Sequence, residues 1–73
     1  MMNTALFNFY LAKNGDTQDR VAADLGISLS RLSAKINEWH GAEFWQSEIL
    51  FFVKRWNLTA DEVETIFFAE KVS

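Results

Sequence analysis

A chain of 73 residues with no cysteine has neither a covalent cross-link nor a thiolate metal site to staple it, so a single hydrophobic core must hold it together. Apolar residues make up 49% of the chain, well above the range of disordered segments, and one folded domain over residues 1–73 is expected. A single histidine would leave any metal site almost wholly to carboxylates, and no loop of that kind is visible. Neither a metal nor a cofactor is therefore expected. Proline is absent, which suits short helices joined by turns of Gly, Asn and Asp. The longest apolar run, Ile49 to Val53, is far too short to span a bilayer, and the first residues lack the basic stretch of a secretory signal. A cytoplasmic protein is the expectation.

Apolar spacing and capping residues mark five helices, and an all-α bundle is the fold class they imply. The first runs from about Thr4 to Asn14, with Phe7 and Leu11 on one stripe and Leu6 and Tyr10 beside it. The second opens at the N-cap Thr17, buries Val21, Ala22 and Leu25, and stops at Gly26. Ser28 caps the third, whose inward residues are Leu32 and Ile36, with Ile27 at its entry. A loop from Glu38 to Phe44 precedes a fourth helix over roughly Gln46 to Asn57, with Ile49, Leu50, Val53 and Trp56 as its inward face. The fifth starts at Thr59, where Thr59 and Glu62 have the spacing of a capping box, and Val63, Ile66 and Phe67 form its stripe.

Charge argues against a polyanion-binding surface. The net charge is −3, and the excess lies wholly in residues 42–73. There Lys54, Arg55 and Lys71 face Glu43, Glu48, Asp61, Glu62, Glu64 and Glu70. Residues 17–41 balance Arg20, Arg31 and Lys35 against Asp19, Asp24 and Glu38. A protein that grips nucleic acid through phosphates needs clustered cations.

The stretch QDRVAADLGISLSRLSAKIN, residues 18 to 37, nonetheless has the features of a helix-turn-helix. Ala22 is small where two helices approach, Gly26 sits four residues later in the turn, and Ile27, Leu32 and Ile36 fasten the second helix. A plain helical hairpin would produce part of the same pattern. With Thr17-Gln18, Leu25-Gly26-Ile27-Ser28, Leu32-Ser33 and Lys35-Ile36-Asn37, the segment resembles the lambda-repressor-like (Cro-type) helix-turn-helix family. Phe44, Gln46-Ser47-Glu48-Ile49, Leu58-Thr59, Glu62 and Ile66-Phe67-Phe68 extend the likeness over nearly the whole chain. They resemble the short regulators of temperate phages of Gram-positive bacteria. The resemblance implies a five-helix bundle in a bacterial host cell, with Gln18 capping the first helix of the pair and touching phosphate. It implies a DNA-facing set of Gln18, Ser28, Ser30, Arg31, Ser33, Ala34, Lys35 and Asn37, with base reading from Leu29, Ser30, Ser33 and Ala34.

The departures from that family are chemical. Bidentate readers such as Gln, Asn and Arg give roughly 1–3 kcal/mol of base discrimination each. Leu29 and Ala34 offer contact with a thymine methyl only, and the two serines bond with little selectivity. Glu38 stands where the family commonly has Gly, and the loop to Phe44 is longer than usual.

Eleven aromatics exceed what so small a core can cover. After Phe7, Tyr10, Trp56 and Phe67 are assigned inward, Phe9, Trp39, Phe44, Trp45, Phe51, Phe52 and Phe68 remain, either at the core edge or exposed. A protein interface made of Leu29, Glu38, Trp39, Glu43, Phe44 and Trp45 is the expectation. Trp45 also occupies the N-cap place of the fourth helix, where losing a Ser or Thr cap costs about 1 kcal/mol. In this it resembles the antirepressors of the modulator-of-repression type from lactococcal temperate phages. That likeness implies capture of a phage repressor through its basic DNA-binding domain; the alternative is a Cro-like repressor binding operator half-sites as a dimer. His40 reads as a solvated loop residue, or as an interface or phosphate contact. Asp61, Glu62 and Glu64 suit the first turns of the fifth helix, or an acidic docking face. Lys54 and Arg55 read as a solvated edge. No nucleophile has a base partner at suggestive spacing, so no enzyme activity is expected.

Overall fold

Helix caps set the architecture. A computed structural model describes residues 2–68; Glu70 and Lys71, which enter the charge balance, lie outside the described residues. Its helices are α1 (Thr4–Lys13), α2 (Gln18–Leu25), α3 (Leu29–Asn37), α4 (Gln46–Trp56) and α5 (Ala60–Phe67), with a 3₁₀ turn at Trp39–Gly41 and no strand among the described residues. The fold is all-α, as expected. Thr17, Ser28 and Thr59 each accept a hydrogen bond from the backbone N–H three residues on. Glu62 returns the favour at Thr59, accepting from its N–H at 2.7 Å, so the capping box at α5 is complete. Gly26 ends α2 at φ 80, a left-handed turn that costs glycine nothing and lets α3 leave at once.

The core is built around Phe7 of α1, which has no exposed surface. Its ring meets Phe52 and Trp56 of α4 at 5.3 Å each and Phe67 of α5 at 6.2 Å, while Val21, Leu32 and Ile36 fill the α2–α3 side. Full burial of each such side chain is worth about 1.5–3 kcal/mol. Two hydrogen bonds tie the start of α1 to this core. The Asn3 N–H donates to the carbonyl of Ile66 at 2.7 Å, and the Thr4 hydroxyl to that of Ile36 at 3.1 Å, satisfying a carbonyl in the last turn of α3.

One helix is rotated from its expected setting. Leu50, read as inward, is 53% exposed, and Phe52, read as left over, is completely buried. The inward stripe of α4 is Glu48, Phe52 and Trp56, a run at intervals of four. Its first member is charged, which hides the stripe from any apolar count.

Arg55 is likewise drawn inward, contrary to its reading as part of a solvated edge. Its guanidinium grips Asp16 through two bonds of 2.8 and 2.9 Å and reaches Asp24 at 2.7 Å, tying the turn before α2 and the last turn of α2 to α4. The Trp56 indole N–H also donates to Asp16, at 2.7 Å. The Arg55 fork, reinforced by that indole, holds the Asp16 carboxyl below its ordinary value against the opposing effect of burial.

Candidate docking surface around α3

Because Leu32 and Ile36 point into the core, α3 turns Leu29, Ser30, Arg31 and Asn37 to solvent, with Ser33 and Ala34 half-buried at its flank. Several members of the DNA-facing set are engaged inside the molecule. The Ser28 hydroxyl accepts the Arg31 N–H as the cap. Asn37 donates back to the Ser33 carbonyl at 2.9 Å, and Gln18 donates to Asn8 at 3.3 Å.

Lys35 overturns its expected role. It is 4% exposed, so its ammonium does not reach a phosphate. Instead Nζ donates to Glu48 Oε1 and to the Glu43 carbonyl, both at 3.1 Å, and lies 4.9 Å from the centre of the Trp45 ring. The same Glu48 oxygen accepts the Trp45 N–H at 2.7 Å. An indole has no acceptor, so α4 starts with only half of a reciprocal cap, and the Glu48 carboxylate supplies it. One lysine thus pins the end of the loop to α3.

Between these fixed points the backbone is strained. Glu38 (φ 55) and His40 (φ 53) both take the left-handed conformation, which costs an L-residue roughly 1–2 kcal/mol each. Trp39 sits between them and is 59% exposed; Trp45, across the loop, is 64% exposed. A depression of about 520 Å³ lies between α3 and the loop, with Arg31, Ala34, Glu43 and Trp45 in its walls. Strain of this kind persists where surrounding structure imposes it, and it clusters at functional sites.

Phe44 does not belong to the exposed patch. Half-buried, it packs on Phe7, Phe52 and Phe67 at ring distances of 5.5–5.8 Å and anchors the loop to the core. Of the expected interface residues, Leu29, Trp39, Glu43 and Trp45 are exposed and Glu38 is half-buried. Glu48, which fixes the geometry, carries no signal at the sequence level except its place four residues before Phe52.

The charge left on this surface is sparse. From Leu29 to Trp45 the exposed cation is Arg31, opposed by Glu38 and Glu43, once Lys35 is paired with Glu48. No helix of the described residues is long and apolar enough to cross a membrane, and no group of three possible metal ligands occurs among them. Neither a protein-family model, nor a curated protein, nor a solved structure matches the chain.

Proposed function

We propose that this protein is a phage-type antirepressor that binds the basic DNA-binding domain of a repressor through α3 and the loop after it. The capture blocks operator binding and favours lytic growth. The observation that carries this reading is the burial of Lys35: the helix that would read DNA keeps one exposed cation, Arg31, beside an apolar Leu29. Phosphate contacts supply most non-specific DNA affinity, so such a helix grips DNA weakly. Trp39 and Trp45, held outward on a strained and pinned loop, are the anchors that protein interfaces favour, and preorganisation of the loop lowers the cost of association. Residual negative charge steers the encounter with a basic domain.

Gel-shift titration of a temperate-phage repressor on its operator, with and without this protein, tests the reading. Displacement of repressor, with no shift by this protein alone, is the expected result. Selective, nanomolar operator binding by this protein alone would establish the Cro-like dimer instead. Trp45→Ala abolishes displacement and keeps the helical circular dichroism. Phe44→Ala is a poorer probe, since it cuts into the core.

A further inference from the structure

A second surface lies away from α3. Between α4 and α5 runs an apolar groove of about 660 Å³, lined by Ile49, Leu50, Val53, Leu58, Val63 and Phe68. Leu50 and Phe68, 53% and 55% exposed, stand at its edges. The groove passes Phe68 into a smaller hollow that also touches Glu38 and Glu43. Patches of this size on a small protein mark binding sites.

The charges around it identify the occupant. Ala60 lines the groove, and on α5 Glu64 follows it by one helical turn, with Asp61 three residues before Glu64; both carboxylates are exposed. Lys54, one turn after Leu50, is the exposed cation of α4. The rim is acidic. A second copy of this chain would bring two more exposed carboxylates and one lysine, and so an excess of like charge, to the same contact. α4 has 11 residues and is therefore about 16 Å long, a length that matches about three turns of a partner helix.

We propose that the α4–α5 groove docks a basic amphipathic helix of another protein, its apolar stripe on Leu50, Val53 and Val63 and its flanking cations against Asp61 and Glu64. This site is separate from the α3 surface and does not rest on the antirepressor reading.

A fluorescein-labelled peptide of about 14 residues, built from Leu and Lys with Leu at helical i, i+3, i+4, i+7 spacing, is the probe, and its Lys-to-Glu counterpart the control. The Lys peptide binds saturably by fluorescence anisotropy, weakens with salt, and shifts backbone amide resonances of α4 and α5. Leu50→Ser, at an exposed site that leaves the fold intact by circular dichroism, weakens it about tenfold or more. Glu64→Lys weakens the Lys peptide and strengthens the Glu peptide. Equal binding of both peptides, binding of neither, or amide shifts confined to α3 would overturn the proposal. So would sedimentation showing that the chain dimerises through this groove, which would make a second copy the occupant. Leu50→Ser leaves operator displacement unchanged, so failure here and failure of the antirepressor reading are read separately.

Discussion

Lys35 and Arg55 are both cations drawn into the molecule, and they brace opposite ends of it by different means. Lys35 is a point charge in a buried niche, facing one carboxylate, one carbonyl and one indole ring. Arg55 is a planar fork at a half-open edge, held by two aspartates at once. The first lies beneath the candidate docking loop, and the second joins the turn before α2 and the last turn of α2 to α4. Burial makes the Lys35 site the more sensitive of the two, because a charge stranded there has no water to fall back on, whereas the Arg55 site can be partly rehydrated.

The largest expected effect breaks the Lys35 site. Lys35→Ala leaves the Glu48 carboxylate buried and unpaired, and should cost about 3–5 kcal/mol in urea unfolding, a large share of a small domain's stability. Replacing both partners together, Lys35→Met with Glu48→Leu, should recover most of that loss. Recovery would show that the pair fixes the loop rather than stabilising the fold, and repressor displacement should then be the property that suffers.

Next in size is Asp16→Asn, which weakens the bonds to Arg55 and Trp56 and should cost about 1.5–3 kcal/mol. The acid limb of stability sharpens the contrast. Asp16 has its carboxyl held below the ordinary 3.8, so the folded state binds that proton less readily than the unfolded chain. Its contribution is complete above pH 3.8 and is lost as pH falls through the lower folded value. Unfolding titrations of Asp16→Asn should lack this component, and those of Lys35→Ala should keep it.

Smallest is Glu38→Gly. Relief of a left-handed glutamate, less the greater freedom of glycine in the unfolded chain, should raise stability by up to about 1 kcal/mol. Thermal unfolding measures it. Amide exchange at Trp39 should quicken at the same time, because the loop loses a constraint.

The two braces also mark the boundary of what could be read in the sequence. Thr17, Gly26, Ser28 and the Thr59–Glu62 pair act within a few residues of themselves, so the starts of α2, α3 and α5 and the turn at Gly26 are legible from local chemistry. The partners of Lys35 and Arg55 lie 13 and 39 residues away, and pairing at that range depends on the folded packing. Glu48 compounded the difficulty: a carboxylate in an inward stripe shifts the apparent apolar face of α4 toward Leu50 and makes Phe52 look superfluous. The core role of Phe44 is hidden for a related reason. A loop residue shows no periodicity, and only its contacts with Phe7, Phe52 and Phe67 reveal it as core. The outward setting of Trp39 and Trp45 agrees with the aromatic surplus, since the covered positions were filled by other rings.

The hydrogen bond from Asn3 to Ile66 joins residues nearly the whole chain apart. During synthesis, α1 therefore waits for its last neighbour: the clasp cannot form until α5 has cleared the ribosome, and the rings of Phe7 and Phe67 stay apart until then. Of the long-range contacts that build this helical protein, the one between Asn3 and Ile66 is thus among the last that synthesis permits.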